Sequence, residues 1–135
     1  MYVNRYNYIH MNENKENISK LKAKIRYLMK QRSNSEKYLL AHHRLINASF
    51  IKMDTLSHGK KRKTPAYYLS RKIDGITRLI YVKTKDLTIV RRRAAAYKYF
   101  MQNLAKFVKL SKEIEASFRE LSLLLIEISD EYKWK

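Results

Sequence analysis

The residues whose types and spacing could do chemistry lie in the segment TPAYYLSRKIDGITRLIYVKTKDL, Thr64 to Leu87, and that chemistry is the grip of an anion. Asp74-Gly75 is the dipeptide of a type I′ turn, because both central positions of that turn need positive φ. A two-residue turn there pairs Ile73 with Ile76, Arg71 with Arg78, Leu69 with Ile80 and Tyr67 with Val82 on one face. On the other face it pairs Lys72 with Thr77, Ser70 with Leu79 and Tyr68 with Tyr81. Like charges set directly opposite are unfavourable by about 0.2–1 kcal/mol, so Arg71 and Arg78 need a counter-charge. An internal acid (Asp54 or Asp86) or splaying into water is one answer. A phosphate is another, because the guanidinium fork grips phosphate oxygens bidentately. The same region also carries Lys60, Lys61, Arg62, Lys63, Lys72, Lys83, Arg91, Arg92 and Arg93, more cations than two aspartates can neutralise. Tyr68 beside Tyr81 is either an ordinary cross-strand aromatic pair or a platform on which an unpaired base stacks.

Catalysis has little to work with. His42 and His43 are adjacent, so on a helix their side chains diverge, and His10 and His58 stand alone. No H-E-x-x-H, no carboxylate cluster and no glycine-rich phosphate loop occurs. The absence of cysteine excludes disulfides, thiolate metal sites and a cysteine nucleophile. The sequence predicts no enzyme, no metal and no cofactor.

Charge points the same way as the arginines. The chain has 30 Lys+Arg against 12 Asp+Glu, a net charge of +18. From Ser57 to Lys98 there are 13 cations and 2 acids, net +11, whereas Ser111 to Lys135 has 4 cations and 6 acids, net −2. So uneven a balance places the polyanion contact in the middle of the chain and leaves the C-terminal part another task. No apolar run approaches the roughly 20 residues of a membrane span, and MYVNRYNYIH lacks the apolar core of a secretory signal. A soluble, cytoplasmic protein with no membrane partner is the expectation.

The elements that must position these residues follow from periodicity. The spacing predicts a flexible arm over 1–14, with Met11 as an alternative start, and then one domain over 15–135. Within it, Ile18, Leu21, Ile25 and Leu28 mark a helix over 15–32, which Ser33 to Ser35 interrupt before a short helix over 35–46. A β region over 48–83 contains a short strand at Phe50 to Met53, a basic loop HGKKRKTP and the hairpin. Thr84 caps a long helix over 85–130, with Asp86 in its first turn. With Tyr97 as heptad position a, that helix places Tyr97, Leu104, Ser111, Phe118 and Leu125 at a, and Phe100, Phe107, Ile114, Leu121 and Ile128 at d, while Met101, Val108, Leu110 and Leu124 widen the stripe beyond a strict a/d seam. This seam packs on the N-terminal helix of its own chain or joins a homodimer. The fold class is α+β: an N-terminal helix, a small antiparallel sheet of two or three strands, and a long C-terminal helix packed in coiled-coil fashion.

The hairpin and the helix that follows, AYYLSRKIDGITRLIYV and KDLTIVRRRAAAYKYF, resemble a family of small, uncharacterised bacterial and archaeal proteins often encoded near transposases. Tyr67, Tyr68, Leu69, Ser70, Arg71, Asp74, Gly75, Tyr81 and Val90 carry the resemblance, which spans roughly Asn47 to Leu110. Relatives often have a cysteine cluster just before the hairpin, where this chain has none, so a metal-stabilised loop is not implied here. A weaker, topological resemblance is to the arm-binding domains of tyrosine recombinases, which lay a small sheet in DNA. These resemblances imply a mobile-element setting and no particular activity.

Together these readings predict a non-catalytic, basic nucleic-acid-binding protein, a mobile-element or phage accessory factor. Lys60 to Lys63, Arg71, Lys72, Arg78, Lys83 and Arg91 to Arg93 are its phosphate contacts, and DNA is favoured over RNA. One alternative is a coiled-coil interaction module for an acidic partner such as a transposase. Another is a small inhibitor that binds the guide RNA of a nucleoprotein nuclease.

Overall fold

The structure, a computed structural model, describes residues 5–54, 56–57, 60–61 and 65–127. In chain order it has helix α1 (Arg5–Leu40), strands β1 (Ser49–Met53), β2 (Leu56–Ser57), β3 (Lys60–Lys61), β4 (Ala66–Ile73) and β5 (Ile76–Tyr81), a 3-10 turn (Thr84–Asp86) and helix α2 (Leu87–Leu125). The class is α+β, as expected. These elements form two compact units: the described residues up to Tyr38 with those from Ala105 onward, and Leu39–Leu104.

The first unit is a pair of antiparallel helical segments. Leu21 and Ile25 cluster with Leu121, and Ile18 and Leu124 pack against them; Leu28 clusters with Leu110 and Ile114. Near one end the Asn14 side-chain amide donates to the carbonyl of Leu124 at 3.2 Å. The stripe expected on the N-terminal helix is thus the one that is buried. The helix itself is longer than expected. It begins at Arg5, inside the segment read as an arm, and it does not break at Ser33 to Ser35. No glycine or proline occurs between residues 5 and 40, and serine or asparagine costs a helix only about 0.5 kcal/mol each. Packing outweighs that cost, since Ser35 is itself buried, 4% exposed. The short helix expected over 35–46 is therefore the end of α1 as far as Leu40, and 41–46 is not helical.

On α2 the buried stripe differs from the heptad expectation. Phe107, Ile114 and Leu121 face inward at d, but their companions are Leu110, Ser117 and Leu124, one residue before each expected a position. Leu104, Phe118 and Leu125 are exposed instead, Phe118 by 47%. After Leu121 the three- and four-residue steps, Leu124 and Leu125, are both apolar, whereas after Phe107 they are Leu110 and Ser111 and after Ile114 they are Ser117 and Phe118, so the pattern of α2 alone names no single stripe. Ser117, 3% exposed, gives α1 a small surface to approach, where Phe118 would hold it off. Ile128 lies outside the described residues.

The second unit holds an antiparallel sheet in the order β1-β4-β5 and a separate two-stranded ladder of β2 and β3. Lys60 and Lys61, read from the sequence as part of a basic loop, pair instead with Ser57 and Leu56. The residues before β1 run along α2: the Ile46 amide donates to the Arg93 carbonyl at 3.1 Å, and the His43 ring meets Phe100 edge-on at 5.5 Å. Thr84 does not cap α2. It opens a 3-10 turn whose preceding residue, Lys83, makes no side-chain cap, and α2 starts two residues later than expected, at Leu87.

Asp74 and Gly75 have φ of 52° and 79°, the type I′ signature that the dipeptide predicts. A Cβ added at Gly75 would meet nothing within 4 Å, so the cost of a side chain there is backbone conformation alone. Gly75→Val is expected to destabilise the hairpin by about 1–2 kcal/mol. Amide exchange should then quicken about 5–30-fold in β4 and β5 while α1 keeps its protection. Unchanged exchange in β4 would mean the turn does not hold the register.

Candidate nucleic-acid interface

The hairpin register sets the site. Tyr68 stands opposite Tyr81, Leu69 opposite Ile80, Ser70 opposite Leu79, Arg71 opposite Arg78, Lys72 opposite Thr77 and Ile73 opposite Ile76, as a two-residue turn requires. On the other side of β4, Phe50 pairs with Leu69 and Lys52 with Tyr67. Directly paired residues project from the same face, so one face of the sheet carries Phe50, Lys52, Tyr67, Leu69, Arg71, Ile73, Ile76, Arg78 and Ile80.

The start of α2 lies against that same face. Phe50 and Tyr67 stack with ring centroids 5.3 Å apart, and the Arg91 guanidinium carbon sits 5.9 Å from the Phe50 centroid. Together with Leu87, Thr88, Arg92 and Ala95 these side chains line an open cleft of about 440 Å³. The Arg91 guanidinium is thus held over an aromatic ring, and it remains exposed to other acceptors. Tyr67 to Arg71 is four residues along a strand, about 13 Å. Cleft cations and facing arginines therefore belong to one surface.

The cations predicted from sequence divide by geometry. Arg71, Arg78, Arg91 and Arg92 are exposed and share the sheet face or its cleft. Arg93 does not join them. Successive helix residues are about 100° apart, so Arg93 projects away from Arg91, half-buried, with its carbonyl accepting the Ile46 amide. Lys72 projects from the opposite sheet face, exposed, and Lys83 is exposed just before the 3-10 turn. Lys60 and Lys61 have backbone positions in β3, while Arg62 and Lys63 lie outside the described residues. Lys52 is the cation that the sequence reading missed. Only the β1–β4 register shows it to share a face with Arg71.

Nothing internal neutralises the facing arginines among the described residues: neither Arg71 nor Arg78 has an ion-pair or hydrogen-bond partner there. Among the described residues an ion pair does form in the helical unit, between Arg119 and Glu115 at 2.8 Å on the exposed side of α2. Asp86, one of the two acids considered as an internal counter-charge, makes no bridge to either arginine.

Tyr68 and Tyr81 meet edge-on, ring centroids 5.7 Å apart, on the face opposite the arginines. Tyr81 is 54% exposed, so its ring retains a free side, although the pair shares its face with Lys72 and not with the facing arginines. Tyr97, Phe100 and Phe107 of the expected helix seam are half-buried.

No group of three or more His, Cys, Asp or Glu side chains converges as a metal site among the described residues. No described helix is long and apolar enough to cross a membrane. The chain matches no family model, no curated protein and no solved structure.

Proposed function

We propose that the chain is a non-catalytic nucleic-acid-binding protein that contacts phosphates through the β4–β5 hairpin and the start of α2. The observation that carries this reading is the register: Arg71 faces Arg78 without an acid between them, on the same face as Lys52, Arg91 and Arg92. Folding alone gains nothing from such an arrangement, whereas a row of phosphates supplies the missing charge and releases condensed counterions as it binds. The cations contact the backbone rather than base edges, so these contacts confer affinity and little sequence selectivity of their own. A role in the cytoplasm as a mobile-element or phage accessory factor accords with the hairpin's resemblance noted above, with DNA the favoured partner.

The test is binding to duplex DNA, single-stranded DNA and structured RNA across a salt series. The wild-type chain should lose affinity steeply with salt, and the Arg71→Ala, Arg78→Ala double variant should have a log–log slope shallower by about two, one per phosphate contact removed. Equal slopes for the two proteins, with the variant's fold verified, would sink the phosphate role of the hairpin.

A protein-interaction role is the second reading, because α2 leaves Val108, Phe118 and Leu125 exposed beside its buried stripe. An acidic partner docked on that stripe would stay bound in high salt and be released by Phe118→Ser.

A further inference from the structure

We propose that the tip of the β4–β5 hairpin is a wedge for duplex DNA: Ile73 and Ile76 enter a base-pair step from the minor groove while Arg71 and Arg78 hold the flanking phosphates. The inference rests on the nucleic-acid reading of the same hairpin and adds a mode of engagement to it. Ile73 and Ile76 are directly paired beside the turn, 39% and 59% exposed. The turn beyond them has only two residues, so no loop shields the pair. Behind them on the same face, two residues or about 7 Å back along each strand, stand Arg71 and Arg78.

That juxtaposition constrains the partner. The apolar tip asks for an apolar surface, and the exposed Arg71, Lys72 and Arg78 around it ask for negative charge. A second copy of the hairpin offers like charge and is disfavoured. Duplex DNA offers both features at once, phosphates along the groove and base faces that become apolar contact surface when a step is unstacked. Asp74 at the turn repels phosphate at the outermost point, which directs the tip toward the stack rather than the backbone. Pyrimidine–purine steps such as TA open most easily and are the preferred sites of entry.

The experiment uses the full chain and a short duplex with 2-aminopurine at a central TA step and donor and acceptor dyes at its ends. The wild type should raise 2-aminopurine emission and shorten the end-to-end distance, with a bend of about 20–90°. Ile73→Thr with Ile76→Thr, which keeps β-branched side chains in the strands, should lose both signals and several-fold in duplex affinity while its salt slope stays that of the wild type. Ile73→Val with Ile76→Val should keep the bend. Steep salt-dependent binding by the wild type without bending or unstacking would overturn the wedge and leave the phosphate reading standing. No binding to any nucleic acid would overturn both. A change of oligomeric state in the Thr variant, seen by sedimentation, would mark the tip as a protein interface and likewise overturn the wedge.

Discussion

Alanine at Ile114 or Leu121 is expected to destabilise the helical unit by about 2–5 kcal/mol, and alanine at Phe118 by less than about 1 kcal/mol. Ile114 is 4% exposed and Leu121 9%, so truncation removes transfer energy and leaves a void between helices, whereas Phe118 is 47% exposed and its ring already meets solvent. Urea unfolding followed by helix circular dichroism measures all three on the same footing. The comparison matters because Phe118 is the bulkiest residue at an a position in this stretch of the heptad, and a seam built on a and d would make it the costliest to truncate. Should Phe118→Ala cost as much as Leu121→Ala, the buried stripe is the heptad seam after all.

What the sequence made legible, and what it did not, follows from how local each signal is. The Asp74-Gly75 turn acts within four residues, and with it came the whole β4–β5 register, including the opposed arginines. The stripe Ile18, Leu21, Ile25 and Leu28 was legible because the other faces of α1 there are largely cationic, so only one face had anything to bury. On α2 apolar residues occur on both sides of d, and the choice of Leu110 and Leu124 over Leu104 and Leu125 depends on the surface that α1 presents. Lys52 was hidden for a related reason. Its face is fixed by pairing across roughly fifteen residues of chain to Tyr67, and nothing near Lys52 in sequence announces that register. The continuity of α1 through Ser33 to Ser35 was missed because serine reads as a cap by local chemistry, while burial of Ser35 is a tertiary fact.

Arg78→Glu should move stability and binding in opposite directions. Replacing one of two facing arginines by an acid turns an unfavourable cross-strand pair into a favourable one, so the sheet should gain from a few tenths to about 1 kcal/mol. The same change removes one phosphate contact and neutralises the neighbour that makes another. Nucleic-acid affinity should therefore fall on the order of 10–100-fold at moderate salt, with a log–log salt slope shallower by about two. A variant that is more stable yet binds worse cannot owe its loss to unfolding, which is the ambiguity that attends alanine substitutions in a strand. Because β5 is the edge strand and all six of its residues are exposed, the new carboxylate displaces no buried group and meets chiefly Arg71. If Arg78→Glu stabilises the sheet and leaves affinity intact, the facing arginines are not where phosphate binds, and the Arg91 and Arg92 cleft becomes the centre of the interface. If affinity falls and the slope flattens while the sheet grows more stable, the mispaired arginines of the folded chain are accounted for by an anion that the chain itself does not supply.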